Sequence, residues 1–153
     1  MTLGEFLVKA KVRGYATAGE RGEALLEDGG KELSYREGPY EYRDRYYGFN
    51  PFVGEEVVWM DGKPVWAMNY FGEVTDVSVP PIDVYRFLQQ AMRHVDVARP
   101  YRGPDAFNDG ELAYRDESEG DLEQFTGIER ILRAGREIYR LSYHGGKVGS
   151  DDL

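Results

Sequence analysis

The chain has 153 residues, no cysteine, and 28 acidic against 19 basic side chains, for a net charge of −9. That length suits one domain with its own core, and the lack of cysteine excludes a disulfide framework, a thiolate nucleophile and a zinc–thiolate site. The negative field repels phosphate backbones and the basic residues are interleaved with acids, so no direct nucleic-acid partner is expected.

In chain order, the first element is a short amphipathic helix over Glu5–Val12, with Phe6, Leu7, Ala10 and Val12 as its apolar side, Thr2 as its cap and Gly14 near its end. Nothing in Met1–Ala10 has the basic start and apolar run of a secretory signal, and no later run is long enough to cross a bilayer. A cytoplasmic chain without membrane contact is the expectation. Tyr15–Lys31, rich in Gly, Ala and Glu and without a steady period, reads as a surface loop. A strand over Glu32–Arg36 and a second over Tyr40–Tyr47 follow. Glu55–Met60 and Lys63–Tyr70 then flank Asp61-Gly62, the pair that a two-residue hairpin turn favours. Thr75–Pro81 is a linker. Ile82–Val95 is a second amphipathic helix, following Pro80 and Pro81 and ending before Pro100, with Asp83 at the positive end of its dipole and Arg93 and His94 at the negative end. Residues 149–153 read as a frayed end.

Phe52–Gly72 recurs without a gap as Phe125–Gly145. Six positions are identical: Phe52/Phe125, Gly54/Gly127, Glu56/Glu129, Gly62/Gly135, Tyr70/Tyr143 and Gly72/Gly145. The tripeptide Tyr42-Arg43-Asp44 likewise recurs as Tyr114-Arg115-Asp116, and the helices share Phe6-Leu7 and Phe87-Leu88. The expected fold is therefore α+β, a single domain over 1–153 made by tandem duplication of a helix plus a three-stranded antiparallel unit, with repeats at about 3–74 and 82–148. One curved antiparallel sheet, or two packed sheets, would carry two helices on one face. The strand Glu32–Arg36 is expected in the first repeat only.

A regular two-residue turn at Asp61-Gly62 pairs Val58 with Val65 and Glu56 with Ala67. Val57, Trp59, Trp66, Met68 and Tyr70 then face the helices, and Glu56, Val58, Val65, Ala67 and Asn69 face away. On the same register Glu129 lies opposite Arg140, whereas Glu56 has no cross-strand base. An unpaired carboxylate on a partly apolar face is either solvated or waiting for a cationic ligand. Tyr42, Asp44, Trp59, Trp66, Tyr70 and His144 are the other candidates for a pocket at the seam between repeats, with a packing role as the alternative for each tryptophan. Neither His94 nor His144 has a second ligand at metal-site spacing, and no phosphate loop or nucleophile elbow is present, so no metal, cofactor or catalytic residue is assigned.

Gly54-Glu55-Glu56-Val57-Val58-Trp59, Asp61-Gly62-Lys63-Pro64-Val65-Trp66, Met68-Asn69-Tyr70, Tyr101-Arg102-Gly103-Pro104 and Tyr143-His144-Gly145-Gly146 together resemble a small uncharacterised prokaryotic domain of unknown function. That domain is found alone or behind a helix-turn-helix module of the XRE type. The resemblance runs from Phe6-Leu7 to Lys147 and implies no activity, only that such a domain can serve as the sensing or assembly part of a regulator; this chain has no helix-turn-helix segment. The first functional expectation is a non-enzymatic module for a cationic or polyhydroxylated small molecule, with Glu56 as its negative charge. The alternatives are an interaction or assembly domain that forms a homodimer, and an enzyme using Glu56 or Asp44 as general base.

Overall fold

The computed structural model describes residues 1–14 and 23–149. Helix α1 spans Leu3–Arg13, with Thr2 and Glu5 exchanging hydrogen bonds in a capping box. After it come β1 (Ala24–Leu25), β2 (Lys31–Glu37), β3 (Tyr40–Gly48), β4 (Phe52–Met60) and β5 (Lys63–Val74). Helix α2 (Pro81–Met92) is followed by β6 (Ala106–Asp109), β7 (Leu112–Asp121), β8 (Gln124–Arg133) and β9 (Arg136–Lys147). Residues 15–22 of the expected Tyr15–Lys31 loop, and residues 150–153 of the expected frayed end, lie outside the described residues. The rest of that loop is not irregular throughout, because Ala24–Leu25 pairs with Lys31–Glu32.

All nine strands among the described residues join one antiparallel sheet in the order β1-β2-β3-β4-β5-β9-β8-β7-β6. The expected α+β class is thereby corrected to a mainly β fold. Among the described residues, two helices of 11 and 12 residues are accessories to nine strands, not a layer of comparable weight. The reason is that strand pairing propagates: β2, expected in the first repeat only, is matched in the second half by β6, and β5 pairs with β9, so one sheet runs through both halves.

From β2 to β6 the order is palindromic about the β5–β9 pair, where Tyr70 lies opposite Tyr143. Both hairpin turns place their two residues at positive φ, Asp61 with Gly62 and Ala134 with Gly135. Both hairpins also slip by one residue at equivalent places, between Val58 and Trp59 and between Ile131 and Leu132. Pro64 lies at the first slip and Glu137 at the second, so a missing proline N–H is not the common cause.

The slip overturns the expected faces. Val58 pairs with Trp66 and Glu56 with Met68, so Glu56 and Val58 share the buried face with Trp66, Met68 and Tyr70, while Val57 and Trp59 point outward. Against that face lie Phe6, Leu7 and Ala10 of α1 and Val84, Phe87, Leu88 and Ala91 of α2, in one continuous core. Each fully buried large apolar side chain contributes about 1.5–3 kcal/mol.

Candidate functional site

Among the described residues, six charged side chains are buried in this core: Lys11, Asp44, Glu56, Arg102, Asp116 and Glu129. They form two matching centres. In the first half Asp44 stands directly opposite Glu56 across β3 and β4. Glu56 Oε1 accepts from Lys11 Nζ at 2.5 Å and from the Tyr42 hydroxyl at 2.6 Å, and Asp44 Oδ1 accepts from the Tyr70 hydroxyl at 2.5 Å. In the second half Asp116 stands opposite Glu129. Arg102 forks onto both oxygens of Glu129 at 3.1 and 3.0 Å, Tyr114 and Tyr139 donate to the same carboxylate, and Tyr143 donates to Asp116 at 2.8 Å.

The residues common to the two halves therefore build a polar core. The Tyr70 ring reaches across β4 to Asp44 on β3 because residue 54 has no side chain; a Cβ there would strike the ring, and Gly127 has the same relation to Tyr143. Gly72 and Gly145 leave room for Phe52 and Phe125 in the same way. Gly54→Ala and Gly127→Ala are each expected to lower stability in urea titrations by about 1–3 kcal/mol through overpacking, while Gly149→Ala, with nothing near its Cβ, changes it little.

The cations differ between the halves. Lys11 comes from α1 and also donates to the Tyr101 carbonyl at 2.6 Å, while Arg102, the next residue, serves the second centre and lies 5.4 Å from the Tyr70 ring centroid. The Tyr101–Arg102 segment thus touches both centres. Burial raises Asp44, and the Glu56 charge adds to the effect, so its carboxyl moves up to about 7. Asp116 rises to about 7 as well, from burial and then Glu129. Tyr42, Tyr70 and Tyr114 are pushed well above the usual phenol range, chiefly by burial.

Glu56 is consequently neither solvated nor unpaired, because Lys11 lies over it from the helix layer. Sequence reasoning missed Lys11, although Lys11 continues the stripe of Phe6, Leu7 and Ala10, a position where a charge has to meet a partner. Glu129 faces Leu141 and Arg102 in place of the expected Arg140. Arg102 had no periodic signal, since it sits in a loop. Trp66 is fully buried, stacked on Phe125, and its indole N–H has no hydrogen-bond partner. Trp59 lies on the outer face under the Arg43 guanidinium, 4.7 Å from the ring centroid.

The outer face of the sheet holds a hollow of about 710 Å³ centred on the β5–β9 pair. Of the seven sequence-predicted residues only Tyr70 and His144 border it; Tyr42, Asp44, Glu56 and Trp66 lie in the core on the opposite face, and Trp59 lies off to the side. Val53, Phe71 and Ile128 supply its apolar surface, and Glu117, Glu119 and Thr126 lie at its β7–β8 side. Phe71 and Val53 are 51% and 45% exposed, a large apolar area to leave in water at the middle of a sheet. Among the described residues no three His, Asp or Glu side chains are grouped to hold a metal ion, and no helix is long and apolar enough to cross a membrane.

No curated protein matches the chain. The description of the DUF5680 family, a domain of unknown function, matches residues 44–148, which take in β4 to β9, α2 and the acidic members of both buried centres. The chain belongs to the DUF5680 family.

Proposed function

We propose that the chain is a duplicated unit whose seam binds a small molecule on the outer face of the sheet, as a sensing domain without catalysis of its own. The observation that carries this reading is the hollow of about 710 Å³ with exposed Phe71 and Val53 at its floor, a size within the range of ligand pockets. Asp44 has the raised pKa that a general base needs, but it is 2% exposed and bonded to Tyr70 beneath the helices, so we assign it to folding. Glu56 belongs with it, its charge met by Lys11 and not by a ligand.

Thermal-shift screening against organic cations, sugars and nucleotides tests the reading. A ligand at 100 times its Kd adds about 2.7 kcal/mol to stability. The shift is expected to disappear in Phe71→Ser, a change at an exposed position, and to persist in Trp59→Ala. A compound whose shift survives Phe71→Ser would place binding elsewhere.

One observation favours assembly as a second reading: Tyr47, Val53 and Phe71 lie directly opposite one another on β3, β4 and β5 and are all exposed, a row that a second subunit could cover. Edge pairing is a poorer route, since the terminal strands β1 and β6 have two and four residues. A concentration-dependent dimer in light scattering that Phe71→Ser abolishes, with no ligand found, would favour assembly.

A further inference from the structure

We infer that the seam hollow selects an elongated organic cation, its charged end at Glu117 and Glu119 on β7 and its apolar body along Ile128, Phe71 and Val53. This rests on the seam-binding reading above and adds the ligand's class and direction.

The inference comes from comparing the halves. The buried face is alike in both, with acids, tyrosines and glycines at matching positions, because the fold requires them. The outer face is under no such demand, and there the halves diverge. Phe71 of the first half corresponds to His144, Val53 to Thr126, Tyr47 to Glu119 and Arg45 to Glu117. In these four pairs the first half supplies Phe71, Val53, Tyr47 and a base, and the second His144, Thr126 and two acids; a fifth pair, Glu55 against Ile128, runs the other way and gives the second half the apolar middle of the seam.

Two rows cross the sheet at this place. In the first, Val53, Phe71, Ser142, Ile128 and Glu117 are successive direct neighbours on β4, β5, β9, β8 and β7. In the second, Asn69, His144, Thr126 and Glu119 are neighbours on β5, β9, β8 and β7. Three strand spacings separate Phe71 from Glu117, roughly 14 Å at about 4.8 Å each. A compact ion cannot use both ends of such a row, whereas a chain-like or ring-bearing amine can.

The charges nearby also point to a cation. Arg130 and Arg140, on the row beyond, are drawn to Glu137 at 3.3 and 3.0 Å, and Arg130 reaches Glu117 only at 3.8 Å. Arg45 is held by Glu32, and Glu55 accepts from Asn69. Glu119 has no ion-pair partner among the described residues, and Glu117 keeps most of its surface, its side chain being 79% exposed. The net charge of −9 adds a long-range attraction for a cation.

Octylammonium, octanoate and octyl glucoside share one apolar body and differ in head charge, and two-dimensional amide NMR of the full chain reports where each binds. Octylammonium is expected to move the amides of 69–71, 117–119, 126–128 and 142–144, and octanoate to leave them in place at the same concentration. The double variant Glu117→Gln/Glu119→Gln is expected to weaken octylammonium roughly fivefold, and added salt to weaken it in the parent chain. Octanoate or octyl glucoside moving the same amides as strongly would overturn the charge selection while leaving the seam site standing. Unchanged octylammonium affinity in the double variant would overturn it too. No movement of those amides by any of the three would overturn both the selection and the seam site.

Discussion

Replacing Lys11 by methionine is expected to cost about 3–5 kcal/mol of folding stability, because Glu56 would be left charged at 1% exposure without its cation. Total stabilities of domains this size are about 5–15 kcal/mol, so the loss would be a large fraction of the whole. The ammonium also satisfies the Tyr101 carbonyl, whose loop carries Arg102 to the other centre, so the damage is not confined to one half. Adding Glu56→Gln to Lys11→Met removes the stranded charge and keeps an acceptor for the Tyr42 hydroxyl. The double variant is expected to recover more than half of the loss in urea titrations. A single variant within about 1 kcal/mol of the parent would show that the pair contributes little to the folded state.

The second large effect is on pH. Asp44 and Asp116 have folded values of about 7 against an ordinary 3.8, so between these limits the folded chain holds protons that the unfolded chain has released. Their contribution to stability is complete below about pH 4 and falls as pH rises to about 7, at up to roughly 1.4 kcal/mol per pH unit for each proton. Around Asp44 lie Glu56, Tyr70, Lys11 and Arg102, and around Asp116 lie Glu129, Tyr143, Arg99 and Arg102. In each set burial and the facing glutamate outweigh the cations. Asp76, Glu37 and Asp28 are held low by their hydrogen bonds and act in the opposite sense, but only as pH falls below about 4.5. Melting temperature is therefore expected to drop from pH 5 to pH 7.5. The variant Asp44→Asn/Asp116→Asn, which keeps acceptors for Tyr70 and Tyr143, is expected to flatten that drop. A drop of equal size in the variant would instead place its origin in the repulsion of the net negative surface, which both proteins share.

Taken together, the two centres explain why the halves match where they do. Glu56 and Glu129, Asp44 and Asp116, and the tyrosines and glycines around them are needed to bury charge without leaving it unsatisfied. The surface residues that border the seam are not needed for this, and it is there that Phe71 of one half has His144 as its counterpart in the other.

Local and repeating features were legible from the chain alone. Thr2 caps the start of α1 and Gly14 follows its last residue, Asp61-Gly62 turns a hairpin through positive φ, and the matched Phe52–Gly72 and Phe125–Gly145 segments each form a β4–β5 or β8–β9 hairpin. Those are properties of neighbouring residues and of periodicity. The buried face was not legible, because Val57, Val58 and Trp59 are an unbroken apolar run and a one-residue slip beyond the turn reverses every side chain. The partners of Glu56 and Glu129 were not legible either: Lys11 and Arg102 lie 45 and 27 residues away and meet them only when helix and loop close over the sheet. Burial of a charge is decided by that closure, so only the tertiary structure could place two matching glutamates in the folded core and leave Val53 and Phe71 on the outer face.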